Sequence, residues 1–208
     1  MISYAITIKD ELKEIKSLLS ILFKLKTKED EIVIVQDQTN FNEDVFEYLH
    51  ELTNLNKISH YMYKFNNNFS DMKNFLNRKC TKKWIFNIDA DEIPHEVLLK
   101  NLYEILEAND NIDAVWVPRV NTVNGLTYEH IKKWGWIVND KGWVNWPHDA
   151  QCRLYKNIET ISWVKPVHEQ LSGYKTVSKL PDAEEYSILH IKDIKKQERQ
   201  NEFYSKNY

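Results

Sequence analysis

The stretch Trp84-Ile85-Phe86-Asn87-Ile88-Asp89-Ala90-Asp91-Glu92 ends an apolar run in a cluster of carboxylates. Side chains of a strand alternate between its faces, so Trp84, Phe86 and Ile88 point one way and Asn87, Asp89 and Asp91 the other. Carboxylates this close repel one another, and a divalent cation placed between them and a diphosphate relieves that repulsion. At the carboxyl end of a buried strand they would stand where open α/β sheets bind ligands. The competing reading is an acidic turn that caps the next helix, because Asp and Glu are favoured in first turns. The spacing alone favours the cap, and the order of the elements around it shifts the balance to a ligand site.

Those elements alternate. Ser3 to Ile8 reads as a short buried strand, and Lys9 to Lys26 carries Leu12, Ile15, Leu18, Leu19 and Leu22 at helical spacing. Ile32-Val33-Ile34-Val35 is a β-branched run of the kind buried on both faces, ending at Gln36-Asp37-Gln38-Thr39-Asn40. Asn42 is placed to cap a helix with Val45, Phe46, Leu49 and Leu52 inward. Ile58 to Phe65 is a third strand. Ser70 is expected to cap a helix running to Cys80, with Met72, Phe75 and Leu76 inward. A helix over His95 to Ala108 and a strand over Ala114 to Val120 follow the acidic strand. Asn121 to Pro147 is rich in Trp, Gly and Asn and shows no helical period, which reads as a long functional or mobile loop. Gln151 to Tyr155, Ile161 to Val164 and Tyr186 to Ile191 are short strands, and Ile194 to Tyr208 is a polar helix docked on the surface. The expected fold is α/β: a mostly parallel sheet with helices on both faces, in one domain over 1–208. It divides softly into a nucleotide and metal half, 1–94, and an acceptor half, 95–208.

Composition narrows the function. The chain has 208 residues, 42% hydrophobic and 28% charged, with a net charge of -3, so it lacks the basic footprint of a nucleic-acid binder. Cys80 and Cys152 lie far apart without metal-type spacing, which predicts free thiols. No apolar run is long enough to span a bilayer, and charge enters too early for a signal peptide, so a cytoplasmic location is expected. With four glycines in all, there is neither a dinucleotide fingerprint nor a Gly-Lys-Ser phosphate loop. A diphosphate would then need a metal in place of a glycine cradle. Seven tryptophans, six of them from Trp116 to Trp163, belong either to the core or to a surface that stacks on ring-shaped ligands.

The ordered set of motifs resembles family 2 glycosyltransferases with the GT-A fold, above all the small branch of lipopolysaccharide-core-type transferases. Ala5 to Glu11 is similar to the family's first strand and polar turn, and Glu31 to Asp37 to its second. Phe69 to Asn74 resembles the segment before the metal motif, and Trp84 to Glu92 the metal-binding strand. Gln151-Cys152-Arg153-Leu154-Tyr155, Val167-His168-Glu169 and Ile188-Leu189-His190 follow in the family order. The chain departs from the pattern at Gln38-Thr39-Asn40, where small residues are usual, and at Lys73, where an arginine is usual.

The resemblance implies a sugar transfer from a nucleotide donor, UDP-type favoured, to a hydroxyl acceptor, with inversion. It implies that Asp91 binds Mn²⁺ or Mg²⁺ held against the donor diphosphate, that Asp89 touches the ribose or the metal through water, and that His190 completes the metal site. Thr7, Asp37, Lys73 and Asp89 would line the donor pocket. Asp37 has an even alternative as a plain strand-end turn residue. Glu169 is the expected base and Asp149 the residue that positions the acceptor. Either also fits a structural role, Glu169 paired with Arg153 or Asp149 in a turn. His168 is a weaker ligand candidate. Trp134, Trp136, Trp143 and Trp146 either stack on a sugar acceptor or form a satellite apolar cluster. The acceptor is a glycan, a lipid-linked sugar or, less favoured, a modified nucleobase in DNA. The competing classes are a nucleotide-sugar or glycan-binding module without turnover, which the intact Asp89, Asp91 and Glu169 argue against, and a nucleotidyltransferase, whose phosphate loop is missing.

Overall fold

Two faces of one sheet divide the apolar residues of this chain. A computed structural model describes residues 1–39 and 41–207, with side chains to Glu202. The strands are β1 (Ile2–Ile8), β2 (Glu31–Asp37), β3 (Ser59–Tyr63), β4 (Trp84–Asp89), β5 (Glu92–Pro94), β6 (Ala114–Asn124), β7 (Ala150–Lys156), β8 (Ser162–Val164), β9 (Gln170–Ser172), β10 (Val177–Lys179) and β11 (Ile188–Asp193). The helices are α1 (Leu12–Leu25), α2 (Glu43–Asn54), α3 (Phe69–Asn77), α4 (Glu96–Lys100), α5 (Leu102–Ala108), α6 (Tyr128–Trp134) and α7 (Ile194–Asn207). The sheet runs β3-β2-β1-β4-β7-β6-β11-β5, with β10 beside β6, and β8 and β9 form a separate hairpin. β1, β2, β3 and β4 are parallel, as the alternation of strands and helices predicts. β7 enters antiparallel between β4 and β6.

Alternation along the strands decides which residues meet. Tyr4, Ile6, Ile32, Ile34, Trp84, Phe86 and Ile88 join α1, α2 and α4 in the larger core. Ala5, Val33, Val35 and Ile85 face the other way, against Met72 and Leu76 of α3. Thr7, Asp37 and Asp89 continue that second face past the end of its apolar residues. The register sets Thr7 beside both Val35 and Asp89. The parallel strands therefore deliver their polar ends to one edge, on the side that carries α3.

Several expectations change. Asn42 caps α2 as expected, accepting from the Val45 amide at 3.0 Å. α3 is capped by Asn68, whose side chain accepts from the Asp71 amide at 3.2 Å. Ser70 lies inside the helix, and its hydroxyl donates to the Lys165 carbonyl. The amide-bearing side chain one step outside the helix satisfies the free N–H, which leaves Ser70 for a tertiary contact. The helix expected over His95 to Ala108 is two, separated at Asn101 (φ -96°, ψ 4°). Asn121 to Pro147 is more regular than its composition suggests. β6 runs on to Asn124, and α6 is closed by a Thr127–His130 capping box and by Gly135 at φ 64°. α6 has no buried residue, so it leaves only a faint apolar period to read. Asn40 and Tyr208, placed in the turn after β2 and at the end of the last helix, lie outside the described residues. Cys80 and Cys152 are free and buried, and burial pushes each thiol up to about 12. Among the described residues no helix is long and apolar enough to cross a membrane.

Candidate active site

Asp89 is the last residue of β4, and its two carboxylate oxygens are taken by different cations. Oδ2 accepts from Arg153 Nη2 at 2.7 Å. Oδ1 lies 3.4 Å from Lys73 Nζ and accepts from the Thr7 hydroxyl at 3.4 Å. Burial works to raise this carboxyl, but Arg153, followed by Lys73, outweighs it and holds Asp89 well below the usual carboxylate range. Arg153 comes from β7, the antiparallel neighbour, and also donates to Asn87 Oδ1 at 3.0 Å and Glu92 Oε1 at 2.7 Å. Glu92 is fully buried and binds Arg119 Nη1 at 3.1 Å and the Asp89 amide at 3.0 Å. Arg119 then forks onto Asp149 Oδ2 through Nε at 3.0 Å and Nη2 at 2.8 Å. Asn121 donates to the same oxygen, and Gln151 Nε2 reaches Asp149 Oδ1 at 2.7 Å. Burial favours the neutral Asp149 carboxyl, yet Arg119 and these donors keep it below its ordinary value.

Asp91 lies beyond the end of β4 and meets a different set of groups. Its Oδ2 is 3.5 Å from His190 Nε2 and 3.2 Å from Lys196 Nζ of α7. His190 is positioned by Asn121, whose Oδ1 is 2.8 Å from Nδ1. Burial would raise the Asp91 carboxyl, and His190 and Lys196 together pull it far below the carboxylate range. Asp91 and His190 are thus two donors able to share one cation. Asp89 faces Arg153 and Lys73 instead of completing the expected trio, and among the described residues no group of three His, Cys, Asp or Glu side chains converges. Two protein donors fit a hard divalent ion that takes its remaining ligands from a diphosphate and water.

Glu169 stands just before β9, and its Oε1 is 2.6 Å from Lys73 Nζ. The expected neighbour was Arg153, but the arginine is committed to Asn87, Asp89 and Glu92. Lys73 is buried, also lies 4.6 Å from the Trp163 ring centre, and so joins Asp89 to Glu169. Asp37 uses Oδ1 for the Thr39 amide at 2.7 Å and the Phe65 amide at 3.4 Å, which ties the ends of β2 and β3 together. His168 is exposed at φ 50° in the turn before Glu169. A cavity of about 120 Å³ is lined by Asn121, Trp136, Val144, Asp149, His190 and Lys192, among others. Of the four tryptophans of the irregular segment only Trp136 lines this cavity; all four are partly exposed and pair as Trp134–Trp136, with ring centres 4.6 Å apart, and Trp143–Trp146, at 5.2 Å.

Sequence reasoning missed Glu92, Arg119, Asn121 and Lys196. Arg119 carried a signal, a charge within an apolar strand, which is costly unless paired. Lys196 carried none, being one lysine of a polar helix.

A strand-end acid pair, one member of it beside a histidine, thus stands at the polar edge of an α/β sheet with one antiparallel insertion. The model of the Glycosyl transferase family 2 matches residues 3–161, so the chain belongs to glycosyl transferase family 2. No curated protein matches it. Among solved structures it is similar to S. aureus TarS 1-349, with 13% identity and a TM-score of 0.63 over 91% of this chain and 60% of that one. The UDP-GlcNAc complex of TarS 1-349 gives 14% identity and a TM-score of 0.61, covering 92% and 58%. A longer TarS structure gives 13% identity and a TM-score of 0.62 over 91% of this chain and 36% of that one. The chain thus spans less than two thirds of each of these structures, and the likeness is one of fold.

Proposed function

We propose that the chain is a metal-dependent glycosyltransferase that moves a sugar from a UDP-type donor to a hydroxyl of a glycan or lipid-linked acceptor, with inversion. The observation that carries this reading is the Asp91–His190 pair, at the edge where Thr7, Asp37 and Asp89 also end. Asp91 and His190 would hold Mn²⁺ or Mg²⁺, which supplies charge neutralisation for the departing diphosphate. Thr7, Asp37 and Lys73 line the donor side, and the UDP-GlcNAc complex of TarS supports a uridine nucleotide there. Glu169 takes the acceptor proton as the acceptor oxygen bonds to the anomeric carbon and the diphosphate oxygen leaves with the bonding pair. A carboxylate largely out of water needs a cationic partner, and Lys73 is that partner. Asp149 suits positioning better than proton transfer, because Arg119, Asn121 and Gln151 occupy both its oxygens. The segment with Trp136 and Val144 forms the acceptor wall beside it.

Asp91→Asn removes one charge at nearly constant shape. It should abolish Mn²⁺-dependent binding of UDP, measured by calorimetry, with thermal unfolding still cooperative. A variant that binds UDP as tightly as wild type and with the same metal dependence removes Asp91 from the site. Donor hydrolysis that stops on adding a chelator separates the enzyme from a binding module.

A further inference from the structure

We propose that Lys196 is the resident cation of the donor site: it holds Asp91 in the donor-free protein and turns to the donor diphosphate when a divalent ion takes that carboxylate. The inference rests on the metal reading above and goes beyond it.

The Lys196 ammonium lies 3.2 Å from Asp91 Oδ2, the same oxygen that His190 Nε2 approaches to 3.5 Å. Its second partner is Glu11 Oε1 at 3.3 Å, from the turn after β1. Two separate parts of the chain, the turn after β1 and the end of β4, therefore bring a carboxylate each to one positive charge, beside the oxygen that a metal held by Asp91 and His190 would take. An ammonium and a divalent ion cannot share that oxygen, because they repel each other at contact distance. A metal that takes this oxygen together with His190 displaces the lysine.

Displacement is feasible here. The Lys196 side chain remains about a third exposed (32%). A lysine is a point charge on a flexible stem, with three donors that can exchange a carboxylate for a phosphate oxygen. Glu11 is fixed independently, since its Oε2 accepts from the amides of Lys9 at 2.9 Å and Asp10 at 3.1 Å. Lys196 can keep Glu11 as a pivot while it leaves Asp91. Lys192, the other lysine of this edge, donates to Gln200 at 2.6 Å and acts on Asp91 through its charge without a direct contact. Metal alone must break an ion pair without replacing it. Metal arriving with a nucleoside diphosphate gives the freed ammonium a new anion, so the two ligands should bind with positive coupling.

The test uses the full chain with Lys196→Met and, as a second neutral variant should the first fail to fold, Lys196→Gln. Mn²⁺ binding without nucleotide is followed from the free-ion spin-resonance signal, and UDP binding at saturating Mn²⁺ by calorimetry. Loss of the lysine should tighten Mn²⁺ binding by roughly fivefold or more. The same loss should weaken UDP binding by roughly tenfold, the worth of a hydrogen bond to a charged group. Lys196→Arg, which keeps the charge, should do neither. Unchanged or weaker Mn²⁺ binding in the neutral variant, with Asp91→Asn still abolishing it, overturns the role of Lys196 and leaves the metal site standing. Tighter Mn²⁺ binding with unchanged UDP affinity overturns the hand-over. If wild type and variant bind no Mn²⁺ with or without UDP, the metal reading fails and the competition with it.

Discussion

The acids of this site are held in two ways, one set by arginines, here its floor, and the other by lysines, its rim. The division is one of partners and not of depth, since Asp89 of the first set is the most exposed of the five at 32%. On the floor, Asp89, Glu92 and Asp149 are joined by Arg153 and Arg119 in one chain of short contacts that crosses β4, β5, β6 and β7. At the rim, Asp91 and Glu169 each meet a lysine, Lys196 from α7 and Lys73 from α3. A guanidinium fork binds two partners in fixed directions, whereas an ammonium is a charge that can re-aim. The floor is built to stay in place. The rim carries the two carboxylates that would exchange partners during a reaction.

The largest effect should come from breaking the floor. Glu92→Ala leaves the buried Arg153 and the partly buried Arg119 short of an anion and should cost about 3–5 kcal/mol of stability, read from denaturant unfolding. A cost near zero would mean that Arg119 and Arg153 re-pair without strain. Glu169→Gln should leave UDP binding nearly unchanged, lower stability by leaving the buried Lys73 with Asp89 as its one anion, and lower turnover by roughly 100- to 10,000-fold, the usual worth of a general base. Asp149→Asn should mainly raise the acceptor KM. If Asp149→Asn abolishes turnover and Glu169→Gln is nearly silent, the two roles are exchanged. Arg153→Lys keeps the charge and loses the fork, and should cost about 1–3 kcal/mol where Lys196→Arg costs little. Equal costs would erase the distinction between floor and rim.

The smallest effect is one of acidity. Asp89, Asp91 and Asp149 all have folded-state carboxyls below their ordinary value. Their stabilisation is therefore complete above the unfolded value, about 3.9, and is lost as pH falls below it through the folded values. Tm should fall progressively below about pH 4, and Asp149→Asn should flatten part of that limb. An unchanged limb would show that Asp149 keeps similar partners after unfolding.

The parallel part of the sheet was legible because Ile32 to Val35 and Trp84 to Ile88 are runs that only burial on both faces explains. Asn42 as a cap and Asp89 and Asp91 at a strand end were legible for the same local reasons. The partner of Asp89 was not. Arg153 reaches it because β7 is inserted between β4 and β6, an arrangement of sheet order that no local pattern encodes. The pairing of Glu169 with Lys73 escaped for a related reason, since it joins a helix of the first half to a hairpin of the second. α6 escaped because a helix with no fully buried residue writes only a faint apolar stripe, Ile131 and Trp134, into its sequence.

Lys73 and Asn74 are consecutive on α3. Asn74 exchanges two hydrogen bonds of 2.8 Å with the backbone of Trp163, which anchors the hairpin that leads to Glu169. Its neighbour places one ammonium between Glu169 and Asp89. A single helical turn thus works as a ruler, whose zero is pinned to the β8 backbone and whose length is one lysine side chain. The gap it measures out is the spacing of the Asp89 and Glu169 carboxylates, with the ammonium between them. Lengthening or shortening residue 73 would recalibrate that gap without touching either carboxylate.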